Sequence, residues 1–247
     1  MKHAIIVGAS SGMGREVCNI LLSDGWKIGI AARRESLLKE IKASCPDRVE
    51  VMKIDVTAPD AAERLLSLAE RMGGVDLFLY SSGIGKQNSR LDTNIELATI
   101  DVNSRGFTAM IDTMFNYMAA HSGGHIAVIS SIAGTKGLGA APSYSATKAF
   151  QNTYIQALEQ LAYMRGLPIR FTDIRPGFVD TDLLAGSRHY PMLMDKTRVA
   201  RSIVRAIYSK RHVKVIDMRY RMLVSAWRLI PKWLWRRMKI QNEDTTP

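Results

Sequence analysis

The sequence Gly8-Ala9-Ser10-Ser11-Gly12-Met13-Gly14 directly follows a short apolar run, residues 3–7, and opens a helical pattern over residues 12–23. Because glycine has no side chain, three glycines here let backbone N–H groups approach a bound anion closely. The N-terminus of the helix adds unpaired donors and the positive end of its dipole. A plain strand-to-helix turn also often carries glycine, but this spacing favours a cradle for the pyrophosphate of a dinucleotide. The residues expected to line that cradle are Gly8, Ser10, Ser11, Gly12, Met13 and Gly14.

The rest of the chain repeats the same alternation of apolar runs and amphipathic stretches. The predicted strands cover residues 3–7, 27–31, 49–54, 75–80, 125–129, 169–174 and 213–216. The predicted helices cover residues 12–23, 35–43, 59–72, 95–118, 144–164 and 197–209. Strands that are apolar on both faces belong in a parallel sheet covered by helices on each side. The pattern therefore predicts an α/β fold: a Rossmann-like, doubly wound parallel sheet in three α/β/α layers, with ligands at the carboxyl ends of the strands.

The length of 247 residues suits one domain, and 47% hydrophobic with 23% charged residues argues against global disorder. We expect a catalytic domain over residues 1–217, a basic helical extension over 218–240 and a disordered tail over 241–247. The two cysteines, Cys18 and Cys45, have no metal-ligand spacing, so no metal site is expected. No secretory signal is visible and no run approaches the ~20 apolar residues that span a bilayer, so we expect a cytoplasmic protein.

Further motifs follow in order along the chain, among them Tyr144-Ser145-Ala146-Thr147-Lys148 and Pro176-Gly177-Phe178-Val179-Asp180-Thr181. With the glycine-rich turn, they resemble the compact, single-domain form of the short-chain dehydrogenase/reductase family over residues 1–209. The family usually has threonine where Val7 stands, a mild departure inside a strand. The resemblance implies an oxidoreductase that transfers hydride between a nicotinamide cofactor and a carbonyl or alcohol. It also implies a homodimer or homotetramer.

The end of the second strand indicates which cofactor is used. NAD-binding relatives carry a carboxylate after this strand, whereas the matching position here is Ala32. Arg33 and Arg34 instead place positive charge where a 2′-phosphate would lie, and a guanidinium binds phosphate by charge-assisted hydrogen bonds. Two solvated surface arginines are the alternative interpretation. We favour NADP(H), with Arg33 as the main contact and Arg34 beside it.

The resemblance implies several further cofactor contacts. Asp55, followed by Val56, would accept a hydrogen bond from the adenine amino group, although an ordinary turn aspartate is the alternative. Ser82 and Gly83 would lie beside the adenosine ribose, where the family usually has Asn-Ala-Gly in place of Ser81-Ser82-Gly83. Further contacts to the nicotinamide would come from the motif after the sixth strand, at Pro176, Gly177, Val179 and Thr181.

Four residues form the expected catalytic set: Asn103, Ser131, Tyr144 and Lys148. Tyr144 and Lys148 are four residues apart, so on a helix they project from one face. A nearby ammonium favours the phenolate, which tunes Tyr144 as a proton donor in reduction and a base in oxidation. Ser131 would hydrogen-bond the substrate oxygen, with Ser130 as its rival by composition. By resemblance, Lys148 also binds the nicotinamide ribose, and Asn103 holds a water that links Lys148 to solvent.

The substrate side is described less specifically by the sequence. Residues 183–196 occupy the family's variable lid, and Tyr190, Met192, Leu193 and Met194 make it apolar. Residues 138–142 would form the opposite wall. We expect a bulky, apolar or lipid-like carbonyl substrate, while packing of the lid residues on the core or on a partner subunit is the alternative.

The net charge of +11 is concentrated near the end of the chain. Residues 219–239 contain seven basic and no acidic residues, together with Trp227, Trp233 and Trp235. Removing the seven leaves +4 for the rest, which argues against a nucleic-acid-binding protein. Such a helix suits an anionic membrane surface, a partner subunit or the protein's own core. The other functions considered are a catalytically silent NADP(H) sensor or scaffold, a sugar-nucleotide epimerase or dehydratase, and a membrane-binding module.

Overall fold

The computed structural model describes residues 1–184 and 190–240. Within these ranges, seven strands form one fully parallel sheet in the order β3-β2-β1-β4-β5-β6-β7. The strands are β1 (His3–Val7), β2 (Lys27–Ala32), β3 (Val49–Lys53), β4 (Leu77–Tyr80), β5 (Gly124–Ile129), β6 (Ile169–Arg175) and β7 (Val213–Val215). The strand order reverses between β1 and β4, so a crevice opens at their carboxyl ends. The predicted doubly wound α/β fold is confirmed.

Helices cover both faces of this sheet, as three layers require. The α-helices are α1 (Gly12–Ser23), α2 (Glu35–Ser44), α3 (Ala61–Met72), α4 (Thr93–Ile100), α5 (Phe107–Ala120), α6 (Pro142–Met164), α7 (Lys196–Tyr208), α8 (Met218–Leu229) and α9 (Lys232–Trp235). Short 3₁₀ turns follow β5 at Ile132–Thr135 and lie at the start of the lid at Asp182–Leu184. The predicted elements agree with these bounds within a few residues, except at two helices and in the tail.

The core lies in two clusters, one on each face of the sheet. Along β1, Ala4 and Ile6 face the cluster that includes α1, α2, α7 and α8. Ile5 and Val7 alternate to the other face, against α3, α5 and α6. Fully burying each aliphatic side chain stabilises the fold by roughly 1.5–3 kcal/mol. This double-sided burial explains why the strands read as continuous apolar runs.

The third predicted helix, residues 59–72, begins two residues later than expected. Pro59 lies in a turn, and α3 starts at Ala61 with Asp60 at its N-cap position. The backbone N–H of Ala58 donates to the Asp55 carbonyl at 3.0 Å, and the N–H of Ala61 donates to the Ala58 carbonyl at 3.2 Å. Residues 59 and 60, which the sequence pattern assigned to the first turn of the helix, therefore belong to the turns after β3.

The predicted helix over residues 95–118 is interrupted. It starts earlier, because the Asp92 carboxylate caps α4 by accepting from the Asn94 N–H at 2.9 Å. Between α4 and α5, the segment Asp101–Gly106 is π-helical. A Cβ on Gly106 would lie 2.7 Å from the Val56 carbonyl oxygen, so this turn passes very close to the end of β3. A π-helical turn widens the helix by one residue, and here it carries Asn103 into the interior.

The extension over residues 218–240 forms two helices, α8 and α9, which Pro231 separates. Tyr220 and Val224 join the same core cluster as α1 and α7, so the inner face of the extension packs on the domain. No described helix is long and apolar enough to cross a membrane. The predicted disorder of residues 241–247, and the part of the predicted lid at residues 185–189, lie outside the described residues.

Candidate active site

The glycine-rich turn after β1 packs too tightly for side chains at two of its glycines. A Cβ on Gly14 would lie 2.3 Å from the Gly8 carbonyl oxygen, and one on Gly8 would lie 2.6 Å from the Ser82 nitrogen. Gly8 and Gly12 also have φ angles of 92° and 57°, which glycine adopts at little cost. The start of α1 thereby stays open, and its N–H groups can bind an anion.

The other residues predicted for this turn lie in two places, some in the core and some at the open end of α1. Met13 packs against the core cluster, and Ser10 is buried. Ser11 stands at the N-cap position of α1, but its hydroxyl is directed toward Arg34. Because the first turn of α1 keeps backbone donors for a ligand, the arrangement can hold the pyrophosphate of a dinucleotide.

The two arginines after β2 lie on different sides of the cofactor crevice. The Arg34 guanidinium donates to Ser11 Oγ at 2.6 Å and to Ser10 Oγ at 3.2 Å, so it lies on the glycine-rich turn. It is also 3.8 Å from the Asp182 carboxylate, an exposed pair that contributes little stability. Arg33 is exposed, and its charge reaches Asp55. The structure thus places Arg34, rather than Arg33, nearest the predicted cradle.

Asp55 and Val56 follow β3 and have distinct neighbours. Asp55 Oδ1 accepts hydrogen bonds from the Thr57 backbone N–H at 3.0 Å and from the Thr57 hydroxyl at 2.8 Å. The backbone bond is the main cause that holds the pKa of Asp55 below its usual value. Val56 is buried against Gly106. Asp55 is therefore an ionised carboxylate in an Asx turn, which was the alternative interpretation of this residue. It also lies at the edge of the sheet where the strands have their carboxyl ends.

Ser82 and Gly83 continue this edge after β4. The Ser82 hydroxyl hydrogen-bonds with the Tyr80 hydroxyl. A Cβ on Gly83 would lie 3.2 Å from Asn103 Oδ1 and 3.7 Å from Lys148 Nζ. Gly83 therefore connects the cofactor edge of the sheet with the predicted catalytic residues.

Tyr144, Lys148 and Ser131 meet where β5 and α6 face the crevice. Lys148 Nζ lies 5.8 Å from the centre of the Tyr144 ring. Burial raises the pKa of Tyr144, and its hydrogen bond with Ser131 opposes that rise. The phenol is therefore protonated at neutral pH and able to donate. The expectation that Lys148 lowers this pKa is wrong for this structure, because burial dominates. Ser131 Oγ also accepts from the Ala133 N–H at 3.1 Å. Its rival Ser130 hydrogen-bonds instead with the buried Asp173 carboxylate, away from Tyr144.

Lys148 is buried, and burial lowers its pKa to about 8, while the nearby Asp173 carboxylate opposes that change. Its ammonium donates to the Gln151 Oε1 at 3.0 Å and to the Ile129 carbonyl at 3.3 Å. Asp173 also pairs with Arg175 at 2.6 Å. Sequence reasoning missed both Asp173 and Gln151, because a carboxylate inside a strand and a helix glutamine have no motif of their own.

Asn103 is fully buried in the π-helical turn. Its side chain accepts from the Ile84 N–H at 2.9 Å and donates to the Ile84 carbonyl at 2.7 Å. Its own main-chain carbonyl accepts from Gln151 Nε2 at 2.8 Å. The Gln151 amide therefore connects Lys148 with the Asn103 main chain, and the water predicted to link Lys148 to solvent stays a prediction.

Two further contacts fix the Tyr144 end of α6, and neither was predicted. The Glu96 carboxylate accepts from the Ser143 backbone N–H at 2.8 Å and from Asn88 Nδ2 at 2.8 Å. It thereby caps the first turn of the helix, where a negative charge is favourable. A Cβ on Gly85 would lie 2.6 Å from the Tyr144 ring, so the chain passes directly against the phenol.

The segment after β6 closes the crevice from the other side. Pro176 and Val179 are buried, and Thr181 lies against the glycine-rich turn, 3.4 Å from where a Gly12 Cβ would stand. A Cβ on Gly177 would lie 2.2 Å from the Tyr220 ring. The predicted nicotinamide-side residues are thus placed together with the predicted cradle at one edge of the sheet.

Tyr220 connects this segment to the lid, a role that the sequence did not reveal because the residue lies in the tail. Its hydroxyl accepts from the Phe178 N–H at 3.1 Å and lies 3.0 Å from the Pro191 carbonyl and 3.2 Å from the Met192 carbonyl. The described residues of the lid have different neighbours. Met194 is buried in the core, which was the alternative interpretation, whereas Tyr190 packs on Phe178 with ring centres 4.8 Å apart.

The opposite wall, which contains the predicted residues 138–142, is held by the tail. Trp235 Nε1 donates to the Gly137 carbonyl at 2.8 Å, and Lys136 Nζ donates to the Ile230 carbonyl at 2.8 Å. Lys136 Nζ also lies 5.6 Å from the centre of the Trp235 ring. Among the described residues, no cluster of histidine, cysteine, aspartate or glutamate could hold a metal ion.

Comparison with known proteins fits this geometry. The short chain dehydrogenase family profile matches residues 2–191. An uncharacterized oxidoreductase of Myxococcus xanthus is 34% identical over 197 residues, which are 77% of each chain. An uncharacterized oxidoreductase of Staphylococcus saprophyticus is 31% identical over 231 residues, which are 89% of this chain and 97% of the relative.

Solved structures show the same fold. A short chain dehydrogenase from Burkholderia cenocepacia, in complex with NADP, superposes with a TM-score of 0.83 at 20% identity over 98% of this chain and 100% of that one. ElxO with NADP bound superposes with a TM-score of 0.79 at 22% identity over 90% of this chain and 99% of that one. The family profile and the sequence relatives show that the chain belongs to the short chain dehydrogenase family of oxidoreductases.

Proposed function

We propose that this protein is an NADP(H)-dependent oxidoreductase that interconverts a carbonyl and a secondary alcohol, with Tyr144 as its general acid and base. The observation that carries the proposal is the meeting of Tyr144, Ser131 and Lys148 beside the crevice that the glycine-rich turn opens. A protonated phenol next to a hydroxyl and a buried ammonium is suited to proton transfer at an oxygen atom.

The residues around the crevice fit NADP(H) in shape and charge. Side chains at Gly8 and Gly14 would collide with neighbouring backbone, so these glycines let the turn pack closely and leave the first N–H groups of α1 to a pyrophosphate. Arg34 lies on the cradle and Arg33 lies near Asp55, so two guanidinium groups flank the place of a 2′-phosphate. The two structural neighbours named above were solved with NADP bound, which supports the same choice here.

When bound, NADP(H) supplies or accepts the hydride. Tyr144 donates its proton to the carbonyl oxygen in reduction and accepts it in oxidation. Ser131 donates a hydrogen bond to the same oxygen and stabilises the developing negative charge. Lys148, whose Nζ lies 5.8 Å from the centre of the Tyr144 ring, would bind the nicotinamide ribose, and Gln151, which bonds the Asn103 carbonyl, holds the lysine in place.

We propose an apolar or lipid-like carbonyl as the substrate class. Tyr190 and Phe178 form an aromatic pair at the lid, and the opposite wall rests on Trp235. Apolar walls with a few converging polar groups are typical of pockets for such molecules.

Replacement of Tyr144 by phenylalanine tests the proposal. We expect Tyr144→Phe to bind NADPH like the parent and to lose about 10²–10⁴-fold in turnover of model ketones. Fluorescence titration gives the first quantity, and NADPH consumption gives the second. Undiminished turnover would refute the assigned role. A silent sensor predicts no turnover in the parent either, so the parent's activity separates the two functions.

Cofactor choice has its own measurement in the same titrations. We expect the parent to bind NADPH more tightly than NADH, and Arg34→Ala to weaken NADPH selectively. Tighter NADH binding by the parent would overturn the choice of NADP(H) without affecting the role of Tyr144.

A further inference from the structure

Helix α8 carries an apolar stripe on the side that faces away from the protein. With about 100° per residue, Met218, Met222 and Leu229 fall within about 40° of one another around the helix. Tyr220, Val224 and Trp227, which pack on the core, lie on the opposite side. Met222 is 68% exposed and Leu229 is 84% exposed. The outward stripe is therefore not explained by packing on the domain.

Basic residues border this stripe on both sides. By the same spacing, Arg219 lies along one edge, and Arg221 and Arg228 lie along the other. All three are exposed, as are the four cations that follow: Lys232, Arg236, Arg237 and Lys239. No acidic residue occurs over residues 219–239. We call this surface the tail face, comprising Met218, Met222, Leu229, Trp233 and these seven basic residues.

The two tryptophans of α9 have opposite roles. Trp235 is buried against Lys136 and Gly137. Trp233 is 61% exposed on the outside of the same short helix. An exposed tryptophan among cations, directly after an amphipathic helix, is typical of a segment that lies at the boundary between lipid headgroups and acyl chains.

We propose that the tail face docks this protein onto the surface of an anionic membrane. The stripe enters the headgroup region, and the arginines beside it bind lipid phosphates, which they match in charge and in hydrogen-bonding geometry. Since residues of the same tail hold the wall at Gly137 and the loop at Phe178, docking places the crevice near the bilayer. This inference is independent of the chemistry proposed for Tyr144.

A second copy of the chain fits the tail face less well. The commonest dimers have two-fold symmetry, in which the same surface of each subunit faces the other. Arg219 is paired with Asp217 at 2.9 Å, but such a contact would still bring the other six cations of one subunit against six of its partner, with no carboxylate between residues 219 and 239 to offset them. A negatively charged bilayer meets the same face with the opposite sign of charge.

Sedimentation of the full chain with vesicles tests the proposal. The probes are phosphatidylcholine vesicles with and without phosphatidylglycerol, at low and at high salt. We expect binding only to the anionic vesicles, weakened by salt because exposed charges are screened. The variant Met222→Glu with Leu229→Glu should bind at least about tenfold more weakly. Met164→Glu is the matched control, since Met164 is 73% exposed on α6, outside the tail face.

Three results would overturn membrane docking. One is the absence of sedimentation with anionic vesicles. Another is an equal loss of binding in Met164→Glu, which would show that the tail face is not specific. The third is a change of assembly: if light scattering shows that the double variant converts a larger oligomer into a smaller one, the tail face is a subunit interface. Circular dichroism of each variant verifies that it is folded.

Discussion

Gln151 occupies the space between the buried ammonium of Lys148 and the main-chain carbonyl of Asn103. Its oxygen accepts from Lys148 at 3.0 Å and its nitrogen donates to Asn103 at 2.8 Å, so both ends of one amide are used. The residue is fully buried, where an unsatisfied amide would be costly. A glutamine in this place fixes the lysine and also affects how readily it keeps its proton.

Substitutions at Gln151 should therefore shift the pH profile of kcat/KM, and the direction depends on whether the new side chain favours or disfavours the Lys148 ammonium. Gln151→Leu removes an acceptor that favours the ammonium, so the pKa of Lys148 falls further below about 8. A hydrogen bond to a charged group contributes roughly 1.5–3 kcal/mol, so the basic limb should move down by about one to two pH units. Gln151→Glu adds a negative charge and should move the same limb up.

The opposite signs separate this role from a merely structural one. Gln156 is exposed on the same helix, so Gln156→Leu is the matched control and should leave the profile unchanged. Shifts of equal sign in the leucine and glutamate variants would contradict the role assigned to Gln151.

At single residues, the sequence predicted positions better than contacts. The spacing of Tyr144, Lys148, Ser131 and Asn103 is enough to bring them to one edge of a parallel sheet. It could not reveal Gln151 or Tyr220, since their hydrogen bonds to Asn103 and Phe178 join residues 48 and 42 positions apart and leave no local pattern. Of the two arginines after β2 the sequence favoured Arg33 as the main contact, whereas the structure places Arg34 on the glycine-rich turn and Arg33 near Asp55.

The π-helical turn between α4 and α5 is the element that brings Asn103 to the site. A pattern of apolar residues could not show this break, because one extra residue in a turn barely alters helical periodicity over two dozen positions. The close approach of Gly106 to the Val56 carbonyl is the physical feature that goes with it. Alanine has a higher helix propensity than glycine, which favours Gly106→Ala, but the added Cβ would collide with the Val56 carbonyl.

We expect the collision to decide the outcome in Gly106→Ala. The new Cβ would lie 2.7 Å from a backbone oxygen, which has little freedom to move. Overpacking of this kind destabilises by about 1–3 kcal/mol, measured by urea unfolding, and a displaced Asn103 should also lower kcat. Gly139→Ala is the control, because its Cβ would meet open space. Stabilisation by Gly106→Ala would show that the turn does not depend on this contact.

For the molecule as a whole, the sequence correctly predicted the three layers and the parallel sheet. Alternating apolar strands and amphipathic helices determine that much, because parallel strands need covered faces. The sequence left the tail open between core, partner and membrane. The structure shows that the two faces of α8 differ, since Tyr220 and Val224 lie in the core while Met222 and Leu229 face outward. The extension is thus structurally part of the domain on its inner side.

Substitution of each tryptophan of α9 tests how much the tail contributes to the stability of the whole fold. Trp235→Ala removes a buried indole, its hydrogen bond to Gly137 and its contact with Lys136, and should cost on the order of 3 kcal/mol. For a chain of this size, that corresponds to a fall in Tm of roughly 6–12 °C. Trp233→Ala changes an exposed residue of the same short helix and should leave Tm nearly unchanged. Equal Tm values for the two variants would mean that α9 does not hold the wall of the crevice, and the tail would then act only through its outer surface.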